Sequence, residues 1–152
     1  MLKDFFEYEA RWLEPITINY RGFDLFTVPP NSSAFQVLQT MKLLEIFPQD
    51  RLSFQNPDGI HTTTESIKLS MTDRVHFAGD PDHTHIPLNA LLSETYAIDQ
   101  SKRIDMKKAS CLSSLRYNKD TSPESLIPGN LECHIGGMTT HFATADNQGN
   151  VV

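Results

Sequence analysis

Residues 139–152 read Thr-Thr-His-Phe-Ala-Thr-Ala-Asp-Asn-Gln-Gly-Asn-Val-Val. Thr139 to Asp146 is a run of residues that favour a pleated strand. Asn147-Gln148-Gly149 supplies a hairpin turn, and Asn150-Val151-Val152 begins a return strand. A return strand of three residues is shorter than the usual five or six or so. This predicts a hairpin cut within a sheet, and the chain reads as a fragment.

Upstream of that hairpin, periodicity is lost from Ala109 to Cys133. Ser110, Ser113, Ser114, Ser122 and Ser125, with Pro123, Pro128 and Gly129, predict an exposed or mobile connector. The middle of the chain is helical in pattern. Ser33 with Gln36 forms a capping-box signature ahead of Ala34, Val37, Leu38, Met41 and Leu44. Phe35, Leu43, Ile46 and Phe47 widen that stripe, which predicts a mostly buried helix ending at Pro48. After the turn Asn56-Pro57-Asp58-Gly59, Thr62 and Glu65 make a second capping signature. Ile67, Met71, Val75 and Ala78 then step by three or four until Gly79. Leu88, Leu91, Leu92 and Tyr96 predict a third helix, with Pro87 near its first turn.

Towards the N-terminus, Ile16 to Tyr20 alternates as a strand does. Arg21-Gly22 is a turn, and Phe23 to Val28 completes a hairpin that Pro29-Pro30 stops, since neither proline donates to a ladder. Leu2, Phe5, Phe6 and Leu13 sit near one helical face, predicting a short amphipathic helix. The fold class expected is α+β, with a helix-rich middle, an early hairpin and a truncated C-terminal hairpin.

Composition bounds the function classes. The chain has 152 residues, of which 13 are Lys or Arg and 19 Asp or Glu, for a formal charge of −6. That balance argues against nucleic acid as the main partner, because phosphate binding is driven by clustered cations. No apolar run approaches the roughly 18 residues of a membrane span. The start, MLKDFFEYEARW, has acids early and no apolar core, so it does not read as a secretory signal. Cys111 and Cys133 are too few for a disulfide framework and lack metal-site spacing.

Several constellations invite chemistry. Asp80, Asp82, His83 and His85 offer oxygen and imidazole ligands within six residues, yet they match no known ligand spacing and read as a solvated loop. Lys102, Arg103, Lys107 and Lys108 read as a solvated helix end rather than an anion site. His61 and His76 lack a nucleophile beside them, and no Gly-x-Ser-x-Gly elbow exists. Gly136-Gly137-Met138-Thr139-Thr140-His141 admits two readings. Two threonines opening a strand are good strand residues. A threonine hydroxyl is also a nucleophile once an adjacent amine takes its proton, which for Thr139 requires cutting the Met138–Thr139 bond first.

These residues resemble a family. The run from Thr139 is similar to the start of the small subunit of γ-glutamyltranspeptidases, N-terminal-nucleophile hydrolases that cleave themselves before a threonine. The family reads Thr-Thr-His-(aromatic)-Ser-Val-x-Asp-x-x-Gly-Asn-x-Val, matched here at Thr139, Thr140, His141, Phe142, Asp146, Gly149, Asn150 and Val152. Upstream, Tyr20-Arg21-Gly22 and Pro29-Pro30-Asn31-Ser32-Ser33 resemble the family's YRG…PPPSSG region. Leu38 to Glu45 resembles its LLQxLNILE helix. Glu65, Asp73-Arg74 and Gly79-Asp80-Pro81 match an E…DR…GDP pattern, and Pro87 with Leu91-Leu92-Ser93 matches the helix that follows. Ala34 stands where the family has glycine, and Gly136-Gly137-Met138 is not its commonest wording before the cut.

The resemblance implies an incomplete piece of an αββα sandwich. Residues 1–138 would be the end of a large-subunit-like region, with 109–138 a flexible connector to the processing site, and 139–152 the start of a small-subunit-like region. It implies that Thr139 is the nucleophile, that Met138 and Thr139 flank the autocleavage bond, and that Thr140 and His141 support local geometry. Asp73 and Arg74 are expected as a helix-face ion pair, and the His-rich loop as structural. No metal and no cofactor are expected. The partners implied are a γ-glutamyl compound such as glutathione, or a related small amide, and a complementary chain. The substrate-carboxylate arginine of the family would lie upstream. The second activating threonine, the paired serines and the oxyanion-hole glycines would lie beyond Val152. The chain alone is therefore expected to be inactive. The other readings are an acylase or amidohydrolase of the same superfamily and a non-enzymatic helical binding domain. Compartment stays open, since the family is often exported.

Overall fold

The computed structural model describes residues 2–110 and Gln148. The expected connector beyond Ser110, the expected scissile pair Met138 and Thr139, Thr140, His141 and the expected C-terminal hairpin therefore lie outside the described residues. Element order is α1 (Leu2–Glu7), β1 (Ile16–Tyr20), β2 (Phe23–Thr27), α2 (Phe35–Glu45), a 3-10 turn (Gln49–Leu52), α3 (Pro57–Phe77), α4 (Leu88–Leu91) and α5 (Glu94–Ser101). The described part is thus a helical body with one two-stranded sheet, in keeping with an α+β class.

The early hairpin forms as its pattern predicts. β1 and β2 pair antiparallel with Ile16 opposite Thr27 and Tyr20 opposite Phe23. Arg21 and Gly22 close the turn with φ of 51° and 88°. Positive φ at both central residues gives the backbone twist that matches two right-twisted strands. Glycine takes that conformation freely, whereas arginine does not. Arg21 is held there by α2: its backbone N–H donates to Glu45 Oε1 at 2.9 Å, and its guanidinium to the carbonyls of Leu44 (3.1 Å) and Phe47 (2.7 Å). Leu44 lies in the last turn of α2 and Phe47 just past its C-cap, so the arginine closes the C-terminal end of that helix.

Helix starts are where the sequence reading needs correction. The Ser33–Gln36 capping box does not form. Ala34 occupies the N-cap in helical conformation without a side-chain bond, and Gln36 instead accepts from Arg74 Nη1 at 3.3 Å. The cause is a turn just upstream, in which Ser32 N bonds Pro29 O and Ser32 Oγ takes the Ala34 N–H. The Thr62–Glu65 box is displaced as well. α3 begins a turn and a half earlier, with Asn56 Oδ1 accepting from Asp58 N and Pro57 in the first turn. The third predicted helix is two, because Ser93 caps a new start by accepting from Tyr96 N.

The buried face of α3 is also not the apolar stripe. Ile67 and Val75 are exposed, while Thr62, Glu65, Ser66, Leu69, Ser70, Asp73 and Phe77 are buried. α2 meets this face with Leu38, Gln39, Thr40 and Leu43. Thr40 and Ser70 hydroxyls bond across the interface at 2.6 Å. Small side chains at Ser66 and Ser70 let the helices approach, and apolar packing is confined to two clusters. One is Leu43, Leu69 and Ala97 with Ile104; the other is Phe35, Phe77 and Leu91 with Ile16, Ile86, Leu88 and Tyr96. At the N-terminus, α1 forms but its apolar side chains stay in water: Leu2, Phe5 and Phe6, with Tyr8, Trp12 and Leu13 beyond it, are exposed.

Candidate functional site

α3 carries two polar centres on its buried face, one near each end. The first is built on Glu65, whose side chain is 3% exposed. Lys68, one turn on, donates from Nζ to Glu65 Oε1 at 2.7 Å and to Ser110 O at 2.9 Å. Ser110 returns its N–H to Glu65 Oε2 at 3.2 Å and its hydroxyl to the same oxygen. A carboxylate and an ammonium thus grip both backbone groups of one residue 45 positions away in sequence. Burial works to raise the Glu65 pKa, but the bonds from Lys68 and Ser110 outweigh it and hold it below the usual carboxylate value. An open groove of about 420 Å³ lies alongside, lined by residues that include Ile60, His61, Thr64, Glu65, Lys68 and Ala109. His61 Nε2 is 2.9 Å from Asp105 O, which ties the 105–110 segment to α3 a second time.

The second centre is Asp73, 1% exposed. Its Oδ2 accepts from the Gln39 amide of α2 and from the Tyr96 hydroxyl of α5 at 2.9 Å. Burial pushes its pKa up to about 6, against the lowering pull of Tyr96, Gln39 and the Arg103 charge. The expected Asp73–Arg74 ion pair is absent: neighbouring helix positions point apart, and Arg74 turns to Gln36.

Other sequence candidates have simpler surroundings. In the Asp80–His85 loop, Asp80 Oδ1 accepts from Asp82 N, and Asp82 is 3.6 Å from Arg11. No group of three or more His, Cys, Asp or Glu side chains gathers as a metal site among the described residues. The basic run is distributed rather than gathered, with Lys102 on Asp99 and Arg103 on Gln100, each at 2.7 Å. His76 stacks edge-on against Phe77 with centroids 4.4 Å apart. Among the described residues no helix is long and apolar enough to cross a membrane.

The described centres position a chain segment; they hold no nucleophile–base pair. Glu65 and Lys68 were visible in the sequence as an i, i+3 pair, but nothing in the sequence joins them to Ser110. Their place in the fold matters because Ser110 immediately precedes, in sequence, the stretch that runs on to Met138 and Thr139.

Comparison with known proteins bears on that junction. The family model for Gamma-glutamyltranspeptidase matches residues 1–152. The chain is 31% identical over 151 residues to a "Glutathione hydrolase proenzyme" of Escherichia coli K12, covering 99% of this chain and 24% of that one. It is 29% identical over 150 residues to the "Acylase ACY 1 proenzyme" of Pseudomonas sp. SE83, covering 98% and 24% respectively. Its fold superposes on the crystal structure of Helicobacter pylori gamma-glutamyltranspeptidase with a TM-score of 0.74, at 22% identity over 81% of this chain and 36% of that one. The chain spans about a quarter of the length of the curated relatives it matches.

Proposed function

This chain belongs to the gamma-glutamyltranspeptidase family, and from that membership we propose that residues 139–152 open its small-subunit-like part, with Thr139 the nucleophile. The observation that carries the proposal is that the family match covers residues 1–152, on both sides of the Met138–Thr139 bond. In processing, Thr139 Oγ attacks the Met138 carbonyl carbon as its proton is withdrawn. The C–N bond breaks in an N-to-O acyl shift, leaving an ester and a free Thr139 amine. Water then hydrolyses the ester, giving a Met138 carboxylate and an N-terminal Thr139. The freed amine afterwards serves as the base for the same hydroxyl.

In the whole protein, Thr139 Oγ attacks a γ-glutamyl carbonyl, as in glutathione. The acyl group then passes to water or to an amine. Thr140 and His141 support the geometry of the nucleophile. The acylase reading keeps the same nucleophile and differs only in the acyl group accepted. It is supported by the similarity to an acylase proenzyme.

The 152 residues carry the processing junction, with residues 1–138 large-subunit-like, and a complementary segment completes an αββα sandwich around it. In support, Phe23 and Phe26 of the hairpin, Val28 just after it, and Leu2, Phe5, Phe6 and Trp12 near the N-terminus are all exposed, and large apolar side chains left in water favour a covering partner.

The test grafts residues 1–152 in place of the matching segment of the Escherichia coli glutathione hydrolase proenzyme. Intact mass then reports whether the Met138–Thr139 bond is cut. The expected result is cleavage in the graft and none in its Thr139→Ala variant. A soluble graft that melts cooperatively and stays uncut overturns the assignment.

A further inference from the structure

We infer that Asp73 and Gln39 form a proton-coupled latch joining α2, α3 and α5, in which protonation of the Asp73 carboxyl turns the Gln39 amide over and tightens the helical body. This concerns the helical body and is independent of the proposed chemistry at Thr139. Three observations carry it. First, the Asp73 carboxylate is buried and its bonded partners, the Gln39 amide and the Tyr96 hydroxyl, are both neutral. A buried carboxylate facing neutral donors is a poor place for a negative charge. Second, the latch is the point where three helices meet, since Gln39 lies on α2, Asp73 on α3 and Tyr96 on α5.

Third, Gln39 is 1% exposed and its Oε1 is buried with no hydrogen-bond partner. Against a carboxylate the amide must present its nitrogen, which strands that oxygen. Against a carboxylic acid it can present the oxygen and accept the acid's hydrogen. The orientation of the amide is therefore set by whether Asp73 carries a proton.

Among the described residues, two groups act on Asp73 besides Gln39. Arg103 acts on Asp73 by its charge, and Tyr96 by its hydroxyl. On α2, Lys42 and Glu45 pair with each other at 2.5 Å. On α3, Arg74 turns to Gln36 and His76 stacks on Phe77. Burial outweighs the lowering by Tyr96, Gln39 and Arg103, and the folded value is raised from 3.8 to about 6. The sign follows: the folded state binds the proton more tightly than the unfolded state. Asp73's contribution is present in full below the unfolded value and is lost as pH rises through about 6.

The test compares urea unfolding of the full chain and of Asp73→Asn from pH 7 to pH 5. Linkage gives about a tenfold rise in the wild-type folded-to-unfolded ratio relative to the variant over that span. Asp73→Asn keeps the shape of the acid form and removes the titration, so its stability follows only the remaining groups. Equal pH slopes in the two proteins overturn the latch. The wild type alone provides a second measurement, in case the variant does not fold. The Asp73 carboxyl carbon is expected to titrate near 6 by NMR, with the Gln39 side-chain amide resonances moving at the same midpoint. An Asp73 titration below 4, or Gln39 amide signals that ignore it, refutes the proposal.

Discussion

Replacing Glu65 with alanine strips three hydrogen bonds, one of them also the ion pair with Lys68, from a position that is 2% exposed. Breaking a buried ion pair by deleting one partner costs about 3–5 kcal/mol, because the other charge stays behind. Lys68 is 22% exposed at its side chain, so water recovers part of its solvation, and about 2–4 kcal/mol is expected. Glu65→Gln keeps an acceptor for Ser110 but loses the charge facing Lys68, for about 1–2 kcal/mol. Lys68→Met combined with Glu65→Ala removes the stranded ammonium, so the double variant recovers part of the single loss. Urea midpoints at pH 7 measure these differences, provided the slope against denaturant is unchanged. Hydrogen exchange at the Ser110 amide reports the local event and is expected to speed up in Glu65→Ala. A loss below about 1 kcal/mol would place this contact with ordinary surface ion pairs. The idea that it anchors the 105–110 segment to α3 would then fail.

Gly59 lies in the first turn of α3, where alanine would ordinarily gain about 1 kcal/mol in helix propensity. Here its Cβ would sit 2.4 Å from Ser53 O and 2.7 Å from Arg51 O, both backbone atoms. Gly59→Ala is therefore expected to destabilise by about 1–3 kcal/mol, and a higher melting temperature would refute that contact. Arg21→Gly keeps the turn conformation but removes the α2 cap, at a cost of about 1–2 kcal/mol. Arg21→Ala adds a left-handed backbone penalty of about 1–2 kcal/mol, so alanine is expected to unfold at lower urea than glycine. Glu45 and Glu65 are both held below their ordinary value, with burial opposed by bonds from Lys42 and Arg21 and from Lys68 and Ser110 respectively. Their stabilisation is present above the unfolded value of about 4.5 and is lost as pH falls through the lower folded values, measurable as falling urea midpoints in that range.

Local signals in the chain were sufficient for the hairpin, because Arg21-Gly22 between alternating runs specifies both a turn and a register. They were sufficient for the existence of α2 and α3 but misplaced both starts. Ser33 and Gln36 satisfy the capping pattern, yet the turn upstream engages the Ser32 and Ala34 N–H groups, and the Gln36 N–H goes to the Ser33 carbonyl rather than its hydroxyl. Thr62 and Glu65 satisfy it too, but Asn56-Pro57 offers a cap earlier in the chain, and the longer helix forms. The junction from Met138 to His141 is readable only in sequence, because the described residues stop short of it.

The ordered motifs of the chain carried the family resemblance, which the family match over residues 1–152 bears out, and local patterning carried the order of the hairpin, α2 and α3, since both depend on residues close together in the chain. What they could not establish was which face of α3 is buried. Ile67 and Val75 follow the helical period and remain exposed, while Glu65, Ser66, Ser70 and Asp73 are enclosed. The reason is that a polar side chain is buried only when a partner meets it. For Glu65 that partner is Ser110, and for Asp73 it is Gln39 and Tyr96, none of them neighbours in sequence. Amphipathic period records the average cost of exposing apolar surface. Long-range hydrogen bonds reverse that average at two carboxylates, and only the packing of α2, α5 and the 105–110 segment against α3 brings their donors into place.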